Sequence, residues 1–314
     1  MVEQYGTVYS GWTVKHFHDH LRKHHRFRWS YTWTKTQLHA AGLVRPAPRR
    51  GAHRRKRPRR PLVGMLLHQD GSTHEWLEGQ GALDLIVTLD DATSEIYSAF
   101  LVEEEGTMSS LAGLLQVVAA KGLACALYTD RASHYFHTPE AGAKVDRSKP
   151  TQVGRALAQL GIEHIAAYSP QARGRSERAF ATLQDRLVKE LKRAGITTLE
   201  AANRFIQEVY LPDHNARFAR PPEAPESAFV PAGLEQVADI LCRQEERIVG
   251  NDNTVRYNGL CLQLPKSPAR AHFVKAKVRV HEYPDGSLAV FHGPRRLASY
   301  SAEGTIIEER QLAA

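Results

Sequence analysis

The chain has 314 residues, 42% hydrophobic and 24% charged, enough for about two domains with a substantial core and unlike a disordered or fibrous chain. Its net charge of +8 is unevenly placed: residues 1–61 carry 15 Lys/Arg against Glu3 and Asp19, a balance of +13, and the rest stands at −5. A basic end points to nucleic acid rather than membrane, because the most apolar stretch, residues 111–127, is broken by Gln116 and Lys121 and is too short to span.

No secretory signal opens the chain. Cys125, Cys242 and Cys261 are scattered, form no zinc spacing and suit a reducing cytoplasm. Residues 1–44 read as helical. Trp12, Val14, Phe17 and Leu21 fall at helical spacing, and Ser30 to Thr32 can cap a second helix ended by Gly42. With Lys15, Arg22, Lys23, Arg26, Arg28 and Lys35 exposed, the pair looks like a helix-turn-helix DNA-binding segment. His16, His18, His20, His24 and His25 raise a zinc site, but no cysteine lies near and the spacing matches no ligand set. The expectation is a polar surface near DNA.

Residues 45–61 form a basic linker. Proline and like-charge repulsion exclude a packed core there, and Arg54, Arg55, Lys56, Arg57, Arg59 and Arg60 can track phosphates or enter a minor groove. From residue 62 an α/β pattern begins, with strands expected at 63–70, 83–90 and 96–102 and a helix at 108–121. A strand at 124–129, a helix at 151–160 and a strand at 162–167 follow. After these comes S-P-Q-A-R-G-R-S-E-R-A-F at 169–180, a loop running into a helix with Phe180, Leu183, Leu187 and Leu191 on its apolar face. Thr197 and Glu200 form a capping box for a further helix. The order gives three antiparallel strands and then alternating units, a mixed sheet with helices on both faces over residues 62–216. Residues 217–250 form a second linker with a short helix near 234–243. Residues 251–314 turn to short strands, at 255–264, 277–283 and 288–292, that suggest a small β-barrel.

Three acids stand out by position. Asp70 ends the first strand, Asp130 ends the fourth, and Glu177 opens a later helix beside Arg173, Arg175 and Arg178. If strands one and four are neighbours, their ends lie about 5 Å apart. Two carboxylates there can hold divalent ions about 4 Å from each other, as two-metal phosphoryl chemistry requires. Mg²⁺ suits such a carboxylate pair. The plainer readings are a turn residue at each strand end and a Glu that favours the helix dipole.

The motifs carry a resemblance. H-Q-D-G-S-T-H-E-W at 68–76, D-D-A-T at 90–93, L-Y-T-D-R at 127–131, S-P-Q-A-R-G-R-S-E-R at 169–178 and T-L-Q-D-R-L-V-K-E-L at 182–191 resemble bacterial insertion-sequence transposases with a retroviral-integrase-like DDE core, most of all the ISNCY group. The resemblance implies a ribonuclease-H-like, mixed five-stranded core, flanked by the helical segment and an SH3-like barrel. It implies that Asp70, Asp130 and Glu177 are catalytic ligands of two Mg²⁺ or Mn²⁺ ions. Asp90 and Asp91, at the end of the second strand, are the rival first acids and read as structural. The implied activity is DNA cleavage and strand transfer on double-stranded element ends and target DNA, by a homo-oligomer in the bacterial cytoplasm, on the nucleoid. Phosphates would be held by Lys189, Lys192 and Arg193 as well as Arg173 and Arg175. An insert at 136–150 lengthens the second spacing relative to retroviral integrases, and the group's usual further N-terminal helix-turn-helix is not seen in the chain. The alternatives are a domesticated transposase whose inactive core only binds DNA, and a nuclease without strand transfer.

Overall fold

The computed structural model describes residues 1–45, 57–140, 143–168, 170–266 and 270–307, with side chains 170–173 left aside. Arg54, Arg55 and Lys56 and the Arg173 side chain therefore lie outside the described residues.

Three short helices open the chain: α1 (Val2–Gly6), α2 (Val14–His24) and α3 (Tyr31–Ala40). Thr13 and Ser30 cap the last two, each accepting a bond from the backbone N–H three residues on. Their own small core gathers Tyr5, Tyr9, Trp12, Phe17, Leu21 and Leu38.

The central unit is a five-stranded mixed sheet of β1 (Leu67–His74), β2 (Leu83–Asp90), β3 (Ile96–Val102), β4 (Ala126–Thr129) and β5 (Glu163–Ala166). The strand order is β3-β2-β1-β4-β5. The first three strands pair antiparallel, while β4 runs parallel to β1 and β5 parallel to β4. This is the mixed sheet expected of a ribonuclease-H-like core.

Helices cover both faces. On one, α4 (Thr107–Lys121) and α5 (Gln152–Gln159) pack with Leu67, Leu127 and Ala166. On the other, α6 (Pro170–Arg193) and α7 (Leu199–Phe205) lay Phe180, Leu183, Leu187, Leu191 and Ala202 against Leu85, Val87, Leu89 and Leu101. The α6 stripe steps by three and four residues, so one side of the helix is buried over its length. Helix α6 starts at Pro170, where the fixed φ of proline suits a first turn, and not after Gly174. The cap of α7 is Thr198, whose side chain accepts from Ala201 N–H, rather than Thr197. A π-helical turn, Ile206–Tyr210, then joins α7 to α8 (Leu211–Phe218), so helix continues beyond residue 216.

The second linker is partly built into the core: Val63 bridges Ser227, and Leu123 bridges Val230. After α9 (Leu234–Ala238) comes β6 (Arg243–Ile248), a strand the sequence reading did not expect. The remaining strands are β7 (Thr254–Tyr257), β8 (Leu260–Gln263), β9 (Lys277–Glu282), β10 (Leu288–His292), β11 (Arg295–Tyr300) and β12 (Ile306–Ile307). The expected single strand at 255–264 is a hairpin, turned at Asn258 and Gly259 with φ of 46° and 80°. Positive φ at both central residues is the demand of a type I′ turn, which Asn-Gly meets. These strands pair as an open antiparallel sheet, β12-β11-β10-β9-β6, plus the β7-β8 hairpin, around one core that includes Val255, Leu262, Val280 and Val290. Among the described residues the pairing does not close into a ring.

Candidate active site

Strand β1 pairs in parallel with β4, Leu67 opposite Leu127 and His68 opposite Tyr128. Both pairs are 60 positions apart, as are Asp70 and Asp130. The two aspartates therefore occupy matching positions just beyond the paired segment. Asp70 does not end its strand as expected; β1 continues to His74, with Asp70 opposite Val87 on β2. Asp130 follows the last residue of β4, and its Oδ1 accepts from Ala132 N–H at 2.9 Å, which turns the chain away from the sheet.

Alternation along β1 decides which face Asp70 uses. Gln69 points to α4, donating to Thr88 Oγ1 and to the Ser110 carbonyl, both at 3.0 Å. His68 and Ser72 point to the opposite side, where His68 meets Asp91 and Ser72 Oγ accepts from Gln184 of α6 at 3.0 Å. Asp70 lies between them and shares the α6 face with its buried cross-strand partner Val87. On β4, Tyr128 faces the His68 ring at 5.3 Å between centroids, so Asp130, two residues on, continues that face. Asp70 is buried, at 6% exposure, and Asp130 is half-buried.

Helix α6 runs along β1 in the same direction. Arg175 reaches Asp91, which also holds His68, and Gln184 reaches Ser72. Glu177 falls between these two fixed points along α6. It lies seven residues, nearly two turns, before Gln184, and so shares that side of the helix. Two details differ from expectation. Glu177 is the eighth residue of α6 rather than its opening residue, and its side chain is exposed, while Ser176 is the buried neighbour. Among the described residues no three acidic, histidine or cysteine side chains converge closely enough to hold a metal ion. The donor type suits such an ion all the same: Asp70 and Asp130 offer hard carboxylate oxygens, which is what Mg²⁺ selects.

Two residues beside the aspartates escaped the sequence reading. The Glu105 carboxylate fills the space over Gly71, where any Cβ would collide with it. His134 Nε2 stands 3.6 Å from Glu105 Oε1. Below them Tyr135 is fully buried, its hydroxyl donating to Gln69 Oε1 at 3.2 Å and accepting from Ser110 at 3.1 Å. Its hydroxyl is held well above the usual range by burial first, then by the negative charges of Glu105, Asp70 and Asp130. The acids thus share one electrostatic neighbourhood. Glu105 ends an acidic run, Glu103 to Glu105, and the sequence offered no other sign of it.

The basic residues divide. Lys35, Arg60 and Arg178 are exposed. Arg57, Arg59 and Arg175, expected on DNA, each have partners within the protein. Arg57 and Arg175 both reach the buried Asp91 carboxylate. Arg59 donates to the Asp91 carbonyl at 2.7 Å, the Ala92 carbonyl at 3.0 Å and Ser94 Oγ at 2.9 Å. Lys189 pairs with Asp185, Lys192 with Glu78, and Arg193 with His20 Nδ1 at 3.2 Å, so these three are engaged within the protein as well. The histidines of α2 are a further correction. His16, His18 and His20 are buried, and His16 Nε2 meets Glu190 of α6 at 2.7 Å while its ring stacks on Trp12. His16 and His20, through Glu190 and Arg193, join α2 to α6, whereas His18 stays within the N-terminal helices on the Trp29 carbonyl, and His24 and His25 are exposed.

No family model matches the chain. Over 253 residues it is 34% identical to y4bF of Sinorhizobium fredii, a protein that carries a transposase name; the match takes in 80% of the chain and 55% of that protein. Over 233 residues it is 31% identical to the transposase for insertion sequence IS1202 of Streptococcus pneumoniae, covering 74% of the chain and 50% of the relative. The chain spans about half the length of these curated relatives. Among solved structures, a chain of the simian T-cell lymphotropic virus intasome in complex with PP2A regulatory subunit B56 gamma aligns at a TM-score of 0.38 and 16% identity, covering 92% of this chain and 91% of that one. The HTLV-2 integrase catalytic core domain in complex with magnesium aligns at 0.36 and 15%, covering 47% and 89%. These scores are too low to bear on the site, which rests on the strand register. Over most of its length the chain is a relative of bacterial insertion-sequence transposases, as its motifs imply.

Proposed function

We propose that this chain carries the catalytic core of a DNA transposase, cutting DNA and joining the element's 3′ ends to a target by metal-dependent phosphoryl transfer. The observation that supports the proposal is the β1–β4 register, whose 60-residue offset matches the Asp70–Asp130 spacing; Glu177 would complete the site from α6. Two Mg²⁺ or Mn²⁺ ions bound there would activate the attacking oxygen and neutralise the leaving one. The chain's own part is placement. Asp70 is fixed by the antiparallel ladder with β2, and Asp130 by the turn bond to Ala132. Glu177 would add a third carboxylate from α6, so the proposed ligands come from the sheet and from a helix packed on it. Exposed Arg178, Lys35 and Arg60, with Arg54, Arg55 and Lys56, would hold duplex phosphates. The proposed partners are duplex DNA and further copies of the chain.

The test is joining of a labelled oligonucleotide bearing the element's terminal repeat to a supercoiled plasmid in Mg²⁺. Joined product supports the proposal. Nicked plasmid without joining would reduce it to a nuclease. One observation favours a second reading, a core that only binds DNA: Glu177 is exposed, and no three-ligand cluster is formed among the described residues. Plasmid retention on a filter with neither nicking nor joining would establish that reading.

A further inference from the structure

Asp91 is fully buried at the end of β2, yet four groups converge on its carboxylate. Arg57 and Arg175 bring guanidinium groups to Oδ1. His68 Nε2 donates to the same oxygen at 2.7 Å, and Arg60 N–H donates to Oδ2 at 2.8 Å. Arg175 also donates to the carbonyls of Arg57 and Pro58, both at 3.1 Å. The neighbouring Asp90 holds the turn itself, accepting from Gly64 N–H at 2.9 Å and from Thr93 N–H at 2.8 Å. Burial alone would raise the Asp91 carboxyl. The bonds from His68 and Arg60, and the charges of His68 and Arg175, more than offset this and hold it at about 2.

These partners come from three places. Arg57 and Arg60 end the basic arm, His68 precedes Asp70 by two residues on β1, and Arg175 precedes Glu177 by two residues on α6. We infer that Asp91 is a positioning residue, tying the basic arm, the strand of Asp70 and the helix of Glu177 into one unit, so that Glu177 is set against Asp70 through Arg175. The inference rests on the proposed active site. A buried carboxylate with several charged partners resists removal: losing it strands two guanidinium groups at a protein surface already crowded with positive charge. The effect on catalysis is transmitted through the bonds that Asp91 makes with His68 of β1 and Arg175 of α6.

The experiment uses the full chain with Asp91→Asn, Arg175→Gln and both together. Plasmid nicking is measured across Mg²⁺ concentrations, and hydrogen exchange is followed at the amides of residues 174–180. Each single variant should raise the half-saturating Mg²⁺ concentration by about tenfold, the lower range for residues that orient metal ligands. The double variant should add little, because both act through one contact. Exchange at 174–180 should quicken in each. Loss of rate in proportion to loss of folded protein, with an unchanged Mg²⁺ requirement, would overturn the inference. So would unchanged exchange at 174–180, which needs no activity to measure. If Asp91→Asn fails to fold, Arg175→Gln alone carries both readouts. Absence of nicking by the unsubstituted protein would instead count against the proposed function, with the exchange result still deciding the tie.

Discussion

Asp70, within β1, and Asp130, just past the end of β4, take matching positions, because β1 and β4 pair in parallel with the same 60-residue offset that separates the two acids. Parallel neighbours lie about 4.8 Å apart, so two carboxylates held on one face repel each other unless a cation lies between them.

Metal should therefore stabilise the core. At a concentration a hundred times its dissociation constant, Mg²⁺ should add about 2.7 kcal/mol to folding stability, seen as a rise in melting temperature. Asp70→Asn/Asp130→Asn should lose the rise. An equal rise in the double variant would locate the metal elsewhere.

The seating of α6 is a second point of leverage. Leu187 is fully buried between the helix and the sheet. Leu187→Ala should cost about 2–5 kcal/mol in urea unfolding, from lost burial plus the cavity left behind. A cost under 1 kcal/mol, about what a surface change produces, would show that the helix does not lie on the sheet as described.

The histidines between α2 and the core predict a pH dependence. His20 is depressed to about 4 by burial and then by Arg193, and His214 to about 4 by burial and then by Arg186. His16 is also lowered by burial, partly opposed by its bond to Glu190. Folded values below 6.5 mean that the native state prefers the neutral rings. Their contribution is complete above pH 6.5 and is lost as pH falls towards 4. Asp19, Asp213 and Glu190 pair in the same region, where bonds and charges from their basic neighbours outweigh burial and lower their carboxyls. Thermal midpoints should fall between pH 6.5 and 4.5, and less so in His20→Asn. A flat profile there would contradict the buried histidine interface.

The fold was legible where residue pattern and burial agree. Strands β2 to β5, α4 and the α6 stripe of Phe180, Leu183, Leu187 and Leu191 could be read from residue pattern, whereas β1, expected at 63–70, runs from Leu67 to His74. What could not be read was how polar residues are used. The His16 and His20 rings looked exposed because histidine patterning does not distinguish a solvated face from one docked against Glu190 and Arg193. Arg57, Arg59 and Arg175 looked like phosphate contacts because a sequence cannot show that a buried Asp91 sits within reach. The Asn258-Gly259 hairpin carried a strong local signal that was absorbed into one long strand. Asp70 and Asp130 stood out as acids at expected strand ends and in the quoted motifs; that β1 and β4 pair with the same 60-residue offset is visible only in the structure.

Binding by the arm should follow counterion release. Because Arg57 is bound to Asp91, the DNA-facing charges are expected to be Arg54, Arg55 and Lys56. Replacing those three with Ala should flatten the slope of log affinity against log salt by about 2–3 units, at about 0.9 per phosphate contact. An unchanged slope would leave DNA binding to Lys35, Arg60 and Arg178.

The most direct test of the central claim is plasmid nicking by Glu177→Gln. The substitution removes a ligand charge from an exposed position with little change of shape, so folding and duplex binding should match the unsubstituted protein. Nicking in Mg²⁺ should fall to background while filter-bound plasmid and melting temperature stay unchanged. Nicking by Glu177→Gln at the unsubstituted rate would contradict the account, because the third acid of the site would then not be Glu177.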